Sequence, residues 1–240
     1  MLSAPANRRL MRVMLLPVIL ALAGALACER NDDERDTDAP RQASTGGVDK
    51  SASTVPWAIV ALGHHSENAF DMVKTGDWKG AQAAVDTLEA AIDSLPSSAD
   101  RDVIADVRAT LDSLSRAVGA KDRATGIVTA NRLTHHGATL SLPYSPQIPA
   151  AVTLLDYYGR ELEIWAARGD MARLERVRSA MQEIWGDLGP QVERRGGAAA
   201  AVDFGRLMER LERARSPADF ASLATPILDD VDKLEAVFTR

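Results

Sequence analysis

All four histidines of this chain come as two adjacent pairs, His64-His65 and His135-His136. Neutral imidazoles converging from two helices can bind copper, zinc or nickel, and two of them facing across a cavity can hold haem iron. His65 and His136 are the first-choice ligands. At helical spacing the apolar stripe runs Ala58, Ala61, Leu62, His65, Ala69, Met72 and Val73, which turns His65 inward. His136 stands three residues after Leu133 and four before Leu140, at the edge of its apolar face. His64 and His135 are helpers, and Glu67, three after His64, adds a carboxylate on the same face. The competing reading is packing. Adjacent residues point about 100° apart on a helix, so each pair offers one good inward ligand. The first expectation is therefore no cofactor; the alternative is a divalent transition metal (Cu, Zn or Ni) or haem b.

Other chemistry lacks a signature. There is no Gly-x-Ser-x-Gly, phosphate-binding loop or dinucleotide fingerprint. No H-E-x-x-H or C-x-x-C-H stands in the chain. A non-enzymatic protein is expected. The formal charge of −6 gains nothing from counterion release on a polyphosphate, so nucleic acid is not an expected partner.

The elements that must position the histidines are helices. The chain is rich in Ala, Leu, Glu and Arg, and only 5% of its 240 residues are aromatic. Caps and breakers predict helices over about 56–75, 78–95, 100–118 and 121–141. Pro143, Pro146 and Pro149 then interrupt the chain. Four more helices follow, over about 149–168, 171–188, 198–214 and 217–238, the sixth ending at Gly189-Pro190.

The two halves echo each other. Leu62-Gly63-His64-His65 through Gly76-Asp77-Trp78 aligns without a gap with Leu155-Asp156-Tyr157-Tyr158 through Gly169-Asp170-Met171. The expected fold is all-α, with two tandem four-helix units over 56–143 and 144–240, each like an up-and-down bundle, or one continuous helical array made from two such units. Were the first unit such a bundle, its first and last helices would be antiparallel neighbours with both histidine pairs near one end. In that respect alone the arrangement is similar to the soluble four-helix b-type cytochromes, which ligate haem from their first and last helices. The Gly-Asp turn also resembles helix-hairpin repeats of the tetratricopeptide kind, without the rest of that consensus. Opposite Tyr157-Tyr158, the slot of His64-His65 reads equally as a place for a bulky amphipathic ring.

The N-terminus carries an address. Arg8, Arg9 and Arg12 precede a mostly apolar run from Met14 to Ala27, the layout of a secretory signal over 1–27. That run is about 14 residues, short of the roughly 20 a spanning helix needs. It ends Gly24-Ala25-Leu26-Ala27-Cys28, which resembles the lipobox of bacterial lipoproteins. The resemblance implies a diacylglycerol thioether and an acylated amine on Cys28, the only cysteine. The alternative is an Ala-x-Ala cut at Ala25 and Ala27, releasing a soluble protein. Residues 28–55 then read as the lipid-bearing cysteine and a polar tether that buries too little surface to order itself. The expected partners are a bacterial membrane facing the periplasm, through the acyl chains on Cys28, and a protein of the envelope.

Overall fold

A computed structural model describes residues 54–240, and these are all-α. The eight helices are α1 (Trp57–Thr75), α2 (Trp78–Asp93), α3 (Arg101–Gly119), α4 (Arg123–Ser141), α5 (Ala150–Arg168), α6 (Met171–Arg194), α7 (Ala198–Arg213) and α8 (Pro217–Phe238). A single 3-10 turn, Leu142–Tyr144, follows α4. Cys28, the signal and residues 29–53 of the tether lie outside the described residues.

Local chemistry sets most of the boundaries. Gly76 and Gly169 take left-handed conformations, φ 81° and 67°, which a side chain would strain, so α1 and α5 stop there. The aspartate that follows restarts the chain in each half: Asp77 accepts from the Gly80 N–H and Asp170 from the Arg173 N–H, each at 3.0 Å. Pro56 and Pro149 precede the two helices with matching backbone angles. Shifted by 93 residues, the span of α1 coincides with that of α5. Ser216 and Asp219 close a reciprocal capping box that opens α8.

Packing repeats as well. α1 lies against α2 and α4, α2 against α3, and α3 against α4; α5 to α8 make the same ring. The two rings share a seam, α4 on α5, and one apolar core runs through both. The described residues therefore form one compact unit, within which 143/144 marks the passage between rings. Two glycines fix α1 against α4. A Cβ on Gly137 would sit 3.1 Å from the Gly63 backbone, and one on Gly126 would sit 2.8 Å from Val73 Cγ1. Positions 63 and 73 thus meet 137 and 126, an antiparallel register that brings the two histidine pairs to one level.

One expectation is corrected. α6 does not end at Gly189-Pro190 but runs through them to Arg194. Pro190 frees the carbonyl of Gly186, four residues back, and both residues are exposed, so water satisfies what the ring denies. Trp57, the first residue of α1, is 64% exposed, whereas Trp165 is buried. Asp230 of α8 is buried and held by Lys233 Nζ at 2.5 Å.

Candidate functional site

The main cleft lies where the two rings meet. α4 touches both α1 and α5, while α1 and α5 reach each other through long side chains rather than close backbone packing. Lys74 Nζ meets Glu163 Oε1 at 2.5 Å, and the Arg160 guanidinium stands 5.4 Å from the centre of the Phe70 ring. Toward the start of both helices the gap widens into a cavity of about 720 Å³. Its floor is Gly137, Ala138 and Ser141 of α4; its walls are Ile59, Val60, Gly63, His64 and Glu67 of α1 and Thr153 of α5. Val55, Tyr144 and Ile148 close the outer end. The lining is mostly apolar and includes no Lys or Arg. Small residues make the floor deep: Gly137 lets α4 come up under α1, and Ala138 leaves the space above it empty.

At the inner end the cleft meets a group of carboxyls drawn from three helices. Glu67 lines the cavity, is surrounded by protein on most sides and has no hydrogen-bond partner among the described residues. Burial pushes its carboxyl up to about 8, with Asp156, Glu235 and Asp71 adding to the rise and Arg160 opposing it. Burial likewise raises Asp156, against the pull of Arg160, to which it is paired. Burial, Asp156 and Asp232 carry Glu235 of α8 up to about 7. Arg160 is the single cation among these acids, and its contact with Asp156 and its stacking on Phe70 occupy it.

A second cavity, of about 410 Å³, opens on another face of α4. His135, His136, Arg132, Tyr157, Glu161 and Trp165 line it. Behind it Asn131 Nδ2 donates to Glu161 Oε1 at 3.1 Å and to the Tyr157 carbonyl at 3.2 Å, and Trp165 Nε1 donates to Glu161 Oε2 at 2.5 Å. The network ties α4 to α5 and leaves Asn131 Oδ1 without a partner.

The residues expected to carry chemistry are divided between these places. His64 and Glu67 share the first cavity; His64 is exposed, with Nε2 3.1 Å from Asn68 Nδ2. His65 is half-buried and edge-on to His64 at 5.2 Å between ring centres; burial lowers its pKa. His135 packs tilted against Tyr157 at 4.9 Å between ring centres, and His136 is buried with Nε2 3.4 Å from Thr110 Oγ1. Burial, then the neighbouring His135, holds His136 down to about 4, a neutral imidazole at ordinary pH. The pairs share a level, but His64 lines the first cavity, His135 and His136 line the second and His65 lines neither, with Gly137 facing α1 and His136 facing α3. Among the described residues no group of three or more His, Cys, Asp or Glu is placed to hold a metal ion.

Asp156, Arg160 and Glu235 were not singled out by sequence. One signal was available: at the 93-residue offset Glu67 falls opposite Arg160, and opposite charges at equivalent positions of two repeats invite a meeting across the seam. Glu235 offers no such signal. No helix among the described residues is long and apolar enough to cross a membrane. No family model, curated protein or solved structure matches this chain.

Proposed function

We propose that this chain is an exported bacterial lipoprotein, tethered through Cys28, whose helical body is a non-enzymatic binding module that works through the cleft between α1, α4 and α5. The cleft carries this reading: about 720 Å³ of mostly apolar, open space with a few polar groups at one end is the size and lining of a small-ligand site. Exposed Val60 lines the cleft, and exposed Trp57 and Leu142, each within two residues of a lining residue, add apolar surface that a ligand or an envelope partner would cover. The lipobox-like Gly24-Ala25-Leu26-Ala27-Cys28 and the polar stretch after it support the address. Acyl chains would supply the membrane affinity, at about 0.8 kcal/mol per buried CH₂.

Two measurements test this. Purified full-length protein is titrated with Nile red, a neutral apolar dye. Saturable brightening at one site, lost in Thr153→Trp, which fills the cleft from α5, is the expected result; no saturable binding overturns the cleft reading. Cys28→Ser should abolish radiolabelled fatty-acid incorporation in cells. An unmodified Cys28 at the mature N-terminus of the wild-type protein, by intact mass spectrometry, overturns the anchor.

A further inference from the structure

Resting on the cleft-binding reading, we infer that the cleft selects a single-tailed amphiphile with an ammonium head, the tail lying along Val60, Ala138 and Ile148 and the head meeting Glu67. Three independent observations converge on this chemistry. The lining is apolar at the outer end, where a tail gains by leaving water. The cavity offers one carboxyl, Glu67, and no lysine or arginine to pair with an anionic head. Glu67 faces the cavity without a hydrogen-bond partner among the described residues, so its oxygens are free to take one from a ligand.

The surroundings reinforce the sign. On its own helix Glu67 faces His64 and Asp71; from α5 come Asp156 and Arg160, from α8 Glu235 and, behind it, Asp232, and from the 3-10 turn Tyr144. Five acids stand against one arginine, and that arginine is engaged by Asp156. A cation at the inner end neutralises part of this excess; an anion adds to it. Hydrophobic contact gives such a ligand its affinity, and the carboxyls give it its selectivity. Glu67 must be ionised to meet the head, so binding releases a proton wherever the free carboxyl still holds one.

Calorimetric titration of the full chain with octylammonium, octanoate and 1-octanol tests the inference, since the three share an eight-carbon chain and differ in charge. The expected order is cation tightest and anion weakest, at one site. Affinity for the cation should rise about tenfold from pH 7 to pH 9 as Glu67 gives up its proton. Glu67→Gln, checked for folding by circular dichroism, should bind the cation no more tightly than octanol and lose the pH dependence. Octanol bound as tightly as the cation, or a preference that survives Glu67→Gln, overturns this inference and leaves the cleft reading standing. Failure of all three probes to bind overturns both.

Discussion

Glu67→Gln should stabilise the protein, and by an amount that grows with pH. The folded carboxyl holds its proton up to about 8, whereas its ordinary value is 4.5. Between these limits the native state binds more protons than the unfolded chain, so stability falls as pH rises, and the loss is complete above about 8. At about 1.4 kcal/mol per pH unit the interval sets a ceiling on the order of 5 kcal/mol. Glu67 opens into the cleft, where water screens it, which reduces the expected penalty to roughly 1–3 kcal/mol. The neutral amide keeps the shape and removes the titration. Urea unfolding of wild type and Glu67→Gln at pH 5, 7 and 9 reads the difference directly. The two should lie close at pH 5 and separate progressively, with the variant more stable at pH 9 by roughly 1–3 kcal/mol. A constant difference across this range, or a variant that loses stability as pH rises as steeply as the wild type, would refute the argument that this carboxyl is a strained member of the cluster.

His136 should show the opposite slope. Held neutral down to about 4 in the fold and protonated below about 6.5 when unfolded, it makes stability fall as pH drops through that window, and its imidazole resonances should not titrate above pH 5 by NMR. Gly137→Ala should cost about 1 kcal/mol or more despite the better helix former, because its Cβ meets α1 backbone at 3.1 Å, which cannot rotate away. Gly119→Ala, where a Cβ meets nothing within 4 Å, should stabilise, and thermal melts compare the two. Asn131→Ala should cost roughly 1–3 kcal/mol in the same melts by leaving the buried Glu161 Oε1 without its donor, and an unchanged melting temperature would count against that network.

Helices and their ends were legible in the sequence because their causes are local. Gly76 and Gly169 need only their own backbone freedom, and Asp77 and Asp170 need only an N–H three residues ahead. The same turn, repeated after equal spacing, also showed the two-ring plan. The Gly189-Pro190 pair misled for a related reason: a proline removes one donor wherever it stands, but whether the freed carbonyl ends a helix depends on what surrounds it, and here that is solvent. Which histidines share a cavity was beyond local reasoning. Spacing placed His65 and His136 on inward faces, but which histidine meets which cavity was decided by the Gly63–Gly137 approach, which leaves His64 on one side of α4 and His135 and His136 on another. The carboxyl cluster is more remote still. Glu67, Asp156 and Glu235 sit on α1, α5 and α8 and share no spacing rule; only the seam between the rings brings them together. Their charge states follow from that assembly, since burial and mutual repulsion exist only once the helices have packed.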